Sequence, residues 1–323
     1  MTYDPHDDSA ASRAQTRSLI GIASIALVIV VAVLFWRMRH PAAPLGAPAT
    51  SQASMAGATI YETEHYRIVS TASPAQVRIV AERVEALHAA YFAFHALSPV
   101  SAAATKLQLV LYRDRAQFQA HNRSGKPWAE AYYRAPACHA YLDSSSPNPT
   151  HWMLHEATHQ LAREVARYPK RAWSDEGLAT YLSSSVVRGG QLVPGEIDPD
   201  TYPVWWVRDL ALSGDRHGDF AQGRLIPLRA LISGEGGPPI GEAVNQYYIG
   251  YWSLAHFLLH HDGGRHADAF RTLIATGGGL AEFERLVGPV EQIEAQWYEY
   301  LRARNASLRI VAPVDDAVII DMD

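Results

Sequence analysis

The sequence predicts an α+β domain, with a small mixed sheet and helices in its first part and a mainly helical second half. Tyr66–Ser70 and Lys106–Tyr112 have the β-branched and aromatic content of strands. Ala131–Leu142 is a candidate third strand, in which Pro136 marks an edge or a bulge. After Pro149, the pattern is helical almost to the end of the chain. We therefore expect one unit with a cleft between its two halves.

The composition allows a large core and argues against a nucleic-acid partner. The chain has 323 residues, of which 48% are hydrophobic, so it can bury a substantial core. Its 28 basic and 33 acidic residues form no long run of like charge, and such a surface offers no electrostatic footprint for DNA or RNA. Cys138 is the single cysteine, so no intrachain disulfide can form and a metal site must use histidines and carboxylates.

The N-terminal region predicts a single membrane anchor. Residues 18–36 form an uncharged, almost wholly apolar segment that matches a hydrocarbon core of about 30 Å at about 1.5 Å per residue. A cleaved signal peptide is the alternative, but its apolar region is normally shorter and is followed by small residues, whereas Trp36–Arg39 follows here. We expect a tail at 1–17 and a Pro/Ala-rich linker at 37–58.

The orientation in the membrane is inferred from the large domain on the C-terminal side of the anchor. Two arginines lie shortly before the apolar segment and two directly after it, so the positive-inside rule gives almost no information about the orientation. Since a short tail can remain inside while a spacer and a large domain pass outward, we expect an extracytoplasmic domain. We place this domain at 59–305, followed by a C-terminal tail at 306–323.

Several helices have clear sequence signals. Ser73 supplies an N-cap and Pro74 a first helical residue, and apolar residues then recur at helical spacing as far as Phe94, with an end near Pro99. Six helices are expected after Pro149. The first contains the HEATH segment and ends at about Ala166, and the second begins at about Ser174. The other four cover about Val204–Leu212, Ala243–His260, Arg265–Ala275 and Val290–Arg304.

The string His155-Glu156-Ala157-Thr158-His159 carries the strongest chemical signal. On a helix, His155 and His159 lie about 40° apart around the axis and about 6 Å apart along it, so both imidazoles can reach one ion. Glu156 lies about 100° from His155, which suits a base beside a metal-bound water better than a ligand. Neutral imidazoles suit zinc, and hydrolytic zinc sites take three protein ligands. A third ligand is therefore needed.

The segment Trp173–Tyr181 can supply that ligand. Ser174 can cap a helix whose first turn carries Glu176, and this places a carboxylate against the first helix. The alternative is that Asp175 and Glu176 merely complement the positive N-terminal end of that helix. Beside HExxH, the ligand interpretation of Glu176 is favoured.

Two separated motifs, HEATHQL and WSDEGLATYL, together resemble the peptidase-MA-like gluzincins, and the similarity extends roughly from Glu62 to Arg304. The chain is more distantly similar to the thermolysin and aminopeptidase N clans. The resemblance implies a zincin-like fold, one Zn²⁺ bound by His155, His159 and Glu176, and Glu156 as the general base. The number of residues between His159 and Glu176 is slightly small for the wider gluzincin group, so the turn between the two helices must be tight. The aminopeptidase GxMEN sequence is absent, which argues against aminopeptidase specificity.

An acyl-transfer hydrolase also needs a donor for the oxyanion. In aminopeptidase-like relatives a tyrosine stands four residues ahead of an aromatic residue, and by that resemblance Tyr248, four residues before Trp252, is the candidate. Tyr247 and Tyr251 are close competitors, and all three can equally pack against the core.

Other polar residues near these motifs are weaker candidates. His151 continues the four-residue series but lies about 12 Å along the axis from His159, too far to share one ion comfortably, so we expect a structural role or support of a ligand. His256 and His260 have the same spacing without an intervening glutamate, near a helix C-terminus that favours cations. Asp175 and Thr180 can orient a ligand or occupy solvated helix ends.

These observations predict a membrane-anchored zinc metallopeptidase, an endopeptidase whose substrate is a peptide or protein. An extended substrate can pair with the predicted edge strand Ala131–Leu142. The alternative is an inactive zinc-binding domain that binds peptides or an envelope component. The sequence leaves the oligomeric state open.

Overall fold

A five-stranded mixed sheet forms the first half of the folded unit. This computed structural model describes residues 55–96 and 105–311, and the residues from Gly57 onward belong to one unit. The strands are β1 (Thr59–Glu62), β2 (Tyr66–Ser70), β3 (Leu107–Tyr112), β4 (Ala131–Arg134) and β5 (Ala137–Tyr141). Their order is β1-β2-β3-β5-β4, with β2, β3 and β5 parallel and the two outer strands antiparallel to their neighbours. β4 is thus an edge strand.

The predicted third strand is in fact two strands. Arg134 pairs with Ala137, which leaves Ala135 and Pro136 as the turn between β4 and β5. Proline cannot donate a hydrogen bond to a strand ladder, so it suits this turn. The prediction of one strand over Ala131–Leu142 was wrong, because a two-residue turn interrupts the β-rich composition too briefly to be recognised from composition alone.

The first helix, α1 (Pro74–His95), follows its sequence signals closely. The Ser73 hydroxyl accepts a hydrogen bond from the Gln76 backbone amide, and the Gln76 side chain in turn accepts one from the Ser73 amide. This reciprocal cap fixes the start of the helix. The apolar positions at helical spacing are buried against the sheet, and the helix ends before Pro99, which lies outside the described residues.

The second half is mainly helical, as predicted, so the α+β class with a mixed sheet is confirmed. The remaining helices are α2 (Arg115–His121), α3 (His151–Gln160), α4 (Ala172–Ser183), α5 (Val204–Asp209), α6 (Arg216–Ala221), α7 (Leu228–Ser233), α8 (Val244–His260), α9 (Ala267–Thr276), α10 (Leu280–Leu286) and α11 (Val290–Val311). A π-helical turn, Leu161–Val165, extends α3, and a hairpin of β6 (Ser185–Arg188) and β7 (Gln191–Ile197) interrupts the helical half.

Three tryptophans hold the helices of the core together. Trp173, Trp252 and Trp297 are almost fully buried. Each indole N–H is paired: Trp173 donates to the Gly278 carbonyl, Trp252 to the Ser184 hydroxyl and Trp297 to the Ser253 hydroxyl. Because the buried donors are satisfied, these large side chains add apolar burial without leaving an unpaired polar group. The Trp252 bond joins α8 to the end of α4, the Trp173 bond joins α4 to the residues after α9, and the Trp297 bond joins α11 to α8.

Several predictions about the ends of the chain fall outside the described residues. The predicted tail at 1–17, the transmembrane helix at 18–36 and most of the linker at 37–58 lie there. Within residues 55–96 and 105–311, no helix combines the length and the apolar character needed to cross a membrane. At the C-terminus, α11 continues to Val311, so the first residues of the predicted tail at 306–323 are helical.

Candidate metal centre

Helices α3 and α4 bring three possible metal ligands together. His155 and His159 lie one turn apart on α3, and Glu176 lies in the first half of α4. The Nε2 atoms of the two histidines are 3.2 Å apart, and Glu176 Oε2 lies 3.2 Å from His155 Nε2 and 3.4 Å from His159 Nε2. Three atoms from these side chains, all within 4.8 Å of one another, could therefore hold a metal ion.

The donor set is one that a divalent metal ion such as zinc accepts. Two imidazole nitrogens and one carboxylate oxygen are ligands that zinc accepts, and catalytic zinc sites use three protein ligands. The three side chains are only 5%, 13% and 19% exposed, so they face one another away from bulk water. In the part of the chain that the structure describes, no other group of three histidine, cysteine or acidic side chains is arranged in this way.

The electrostatics of the cluster favour a charged glutamate. Burial alone would raise the pKa of Glu176, but the neighbouring His159 and His155 outweigh it and hold that pKa well below its usual range. Burial alone would lower the pKa of His159, but Glu176 and Asp175 hold it well above its usual value. An anionic carboxylate is the form that binds a metal ion.

Glu156 does not belong to the three converging side chains. Its Oε2 accepts a hydrogen bond of 2.8 Å from the backbone N–H of Tyr133 in the edge strand β4. This bond joins the sheet to α3 at the site. Tyr133 could not be predicted as a partner of Glu156, because a backbone donor leaves no signal in residue type.

The structure distinguishes the three candidate tyrosines of α8. The Tyr248 hydroxyl lies 3.2 Å from Glu176 Oε2 and so belongs to the site. Tyr247 donates instead to the Pro238 carbonyl at 2.9 Å, and Tyr251 is buried beside its two neighbours. Burial, followed by the charge of Glu176, raises the pKa of Tyr248, so its hydroxyl stays protonated and can donate a hydrogen bond.

His151, His256 and His260 lie outside the cluster. His151 Nε2 accepts from the Tyr202 backbone N–H, and burial followed by the charge of His155 lowers its pKa to about 3, so it is a neutral packed side chain. His256 is paired with the Tyr300 hydroxyl at 2.6 Å and His260 with the Tyr181 hydroxyl at 2.8 Å. A hydrogen bond to a tyrosine therefore occupies one ring nitrogen of each of these two histidines.

Asp175 and Thr180 have different surroundings. Asp175 Oδ2 lies 3.6 Å from His159 Nδ1 and also pairs with Arg163. Thr180 donates to the backbone carbonyls of Glu176 and Gly177, within its own helix. Arg163 was missed by the sequence analysis, although its position four residues after His159 places it on the same side of the helix.

Aromatic rings line one side of the cluster. Trp152 stacks on Tyr202 with ring centroids 5.1 Å apart, and Tyr202 in turn lies 5.4 Å from Tyr248. The His155 ring lies 6.2 Å from Trp152 and 6.3 Å from Tyr248. Trp152, Tyr202 and Tyr248 thus form a connected group of rings beside His155.

Neither the comparison with protein-family models nor the comparison with curated protein sequences gives a match.

Proposed function

We propose that the chain is a zinc metallopeptidase of the peptidase-MA-like gluzincin type, with a zincin-like catalytic domain that hydrolyses peptide bonds. The observation that carries this proposal is the convergence of His155 Nε2, His159 Nε2 and Glu176 Oε2 beside Glu156. A structural zinc site normally has four protein ligands, whereas three ligands together with a nearby carboxylate are typical of a hydrolytic site.

Bound zinc would act as a Lewis acid and would lower the pKa of a water molecule to about 7. Glu156 serves as the general base. The Tyr133 amide fixes Oε2, and Oε1 makes no hydrogen bond to any of the residues described. Oε1 is therefore the atom that accepts a proton and later passes it to the leaving amine.

Tyr248 is the proposed donor to the oxyanion that develops on the substrate carbonyl. Its hydroxyl already lies at the cluster, and burial and the charge of Glu176 keep it protonated. A preorganised donor at this position stabilises developing negative charge without a cost of reorganisation during the reaction. Tyr247 and Tyr251 are not proposed for this role.

The proposed substrate is a peptide or protein that lies extended along β4. Because β4 is the edge of the sheet, its outward backbone groups can pair with an added strand. The Tyr133 N–H is already bonded to Glu156, so pairing with a substrate uses other backbone groups of β4. Such main-chain pairing tolerates varied sequences, as expected of an endopeptidase.

We further propose that residues 18–36 anchor the enzyme in a membrane as a single helix, with the catalytic domain outside the cytoplasm. The support is the apolar length of that segment and the large domain on its C-terminal side. Protease added to cells with a permeabilised outer layer should remove the domain. Protection of the domain until the cells are lysed would contradict this orientation and would place the domain in the cytoplasm.

The decisive experiment compares Glu156→Gln with the wild type in zinc content and peptide turnover. Glutamine keeps an oxygen that can accept the hydrogen bond from the Tyr133 amide, so the fold and the bound metal should be retained. Its amide cannot take up the proton of the attacking water. Turnover should fall about a hundredfold to ten-thousandfold, the range typical for loss of a general base. Glu82→Gln, on the exposed side of α1, is the matched control and should behave as the wild type.

Two results would contradict the proposal in different ways. Stoichiometric zinc in a wild-type protein that cleaves no member of an unbiased peptide library would favour a zinc-binding module for peptides or an envelope component. A wild-type protein that binds no zinc would refute the metal site itself.

A further inference from the structure

A partly buried ion pair lies directly behind one of the proposed zinc ligands. The Arg163 guanidinium pairs with Asp175 Oδ2, and the Asp175 side chain is only 8% exposed. The same Oδ2 atom lies 3.6 Å from His159 Nδ1. Arg163 also donates to the Tyr168 carbonyl at 3.0 Å, in the turn between α3 and α4.

The placement follows from the two helices that carry the ligands. Arg163 follows His159 by four residues and lies in the π-helical turn that extends α3. Asp175 directly precedes Glu176, so it points about 100° away from that ligand around α4. Each ligand helix thus supplies one member of the ion pair: Arg163 comes from the extension of α3, which carries His155 and His159, and Asp175 comes from α4, which carries Glu176.

The ring of His159 has one nitrogen for the ion and one for its support. Nε2 faces His155 and Glu176, so Nδ1 carries the proton when Nε2 donates its lone pair to a metal. Nδ1 is buried and makes no hydrogen bond to any of the residues described. Asp175 Oδ2 lies 3.6 Å from Nδ1. A carboxylate that accepts a hydrogen bond from the second ring nitrogen of a ligand histidine fixes its tautomer and raises its basicity.

We propose that Arg163 and Asp175 form a positioning pair for His159: Arg163 fixes the Asp175 carboxylate, and Asp175 orients the His159 ring so that Nε2 faces the metal. The inference rests on the proposed metal site. The two adjacent acidic residues thus lie beside different nitrogens of His159: Asp175 lies beside Nδ1 and Glu176 beside Nε2.

A purely structural role is the competing explanation. Arg163 joins α3 to the following turn through Tyr168, and loss of that contact would lower the stability of the fold. A structural role would leave the metal affinity and the geometry of the bound ion unchanged. Zinc affinity and the absorption spectrum of a cobalt-substituted protein therefore separate the two roles.

The test uses the full chain with Asp175→Asn, Arg163→Lys and the double variant. Zinc dissociation constants are measured by competition with a chelating dye, and the visible spectrum is recorded after substitution with Co²⁺. Asp175→Asn should weaken zinc binding about 10- to 100-fold, as is typical for loss of a residue that supports a metal ligand, and should change the cobalt spectrum. Arg163→Lys keeps the charge but not the fork geometry, so its loss of affinity should be smaller.

The double variant tests whether the two residues act together. Since Arg163 acts through Asp175, the double variant should bind zinc no more weakly than Asp175→Asn alone. Asp219→Asn is the matched control, because Asp219 is a fully buried aspartate that pairs with Arg224 in another part of the fold. It should lower the unfolding temperature without changing the zinc affinity.

Failure of the positioning role and failure of the proposed metal site would give different results. An Asp175→Asn variant with the zinc affinity and cobalt spectrum of the wild type would overturn the positioning role, even if its unfolding temperature fell. Losses that multiply in the double variant would show that Arg163 does not act through Asp175. A wild-type chain without zinc affinity would instead refute the proposed metal site.

Discussion

Substitution of Gly177 tests the close packing that places Glu176 in the site. A Cβ atom at this position would lie 2.9 Å from the Tyr251 carbonyl oxygen and 3.4 Å from Ala255 Cβ, both on α8. A backbone carbonyl inside a helix cannot rotate away, so α4 and α8 must separate by a few tenths of an ångström. Alanine in a helix is otherwise favoured over glycine by about 1 kcal/mol. Overpacking of a core typically costs about 1–3 kcal/mol.

The crowding should therefore outweigh the helix preference in Gly177→Ala. A net loss of about 1 kcal/mol would lower Tm by about 2–4 °C for a domain of this size. Because Gly177 directly follows Glu176, the movement should also weaken zinc binding. Thermal unfolding and zinc competition are measured on the same samples, with Gly241→Ala as the control, since no heavy atom lies within 4 Å of its added Cβ. A higher Tm with unchanged zinc affinity would refute this account of the helix contact.

Two further substitutions test other parts of the structure. Tyr248→Phe should retain zinc but reduce kcat about 100- to 1000-fold, the usual effect of losing an oxyanion donor; Tyr247→Phe, which loses only a bond to Pro238, should turn over peptide normally. Asp219 is buried, which alone would raise its pKa, but hydrogen bonds from Tyr298 and Ser213 lower that pKa from 3.8 to about 2. Its stabilising contribution is thus present above about pH 4 and is lost as the pH falls towards 2, so the stability difference between wild type and Asp219→Asn should shrink by about 2.5 kcal/mol, measured by urea unfolding. A difference independent of pH would show that Asp219 titrates normally.

The residues of the cluster could be predicted because their relation is local or nearly so. The four-residue spacing of His155 and His159 fixes their common face once the segment is helical, and Glu176 follows on the next helix. The hydrogen bond from Tyr133 to Glu156 could not be predicted, because it depends on how the edge strand meets α3. The link from Arg163 to Asp175 likewise depends on the turn between the helices.

In the fold as well, elements with a clear local pattern could be predicted and elements without one could not. Long periodic helices such as α1 and α8 were predicted near their observed ends, whereas short helices such as α2 and α6 have too few turns to show a period. The β6–β7 hairpin was missed although Gly189 and Gly190, both with positive φ, stand between two strand-like runs. Such a glycine pair is a recognised hairpin signal, so this element was within reach of the sequence.

The bond between Tyr133 and Glu156 has a consequence for genetic experiments on the site. Its donor belongs to the main chain, so nineteen of the twenty amino acids supply it and only proline removes it. An alanine scan would therefore test the side chain at position 133 and its contact with Glu164, while the amide that holds the proposed general base would escape detection. Replacement of that amide by an ester in a semisynthetic protein would reveal the contribution that substitution of side chains leaves hidden.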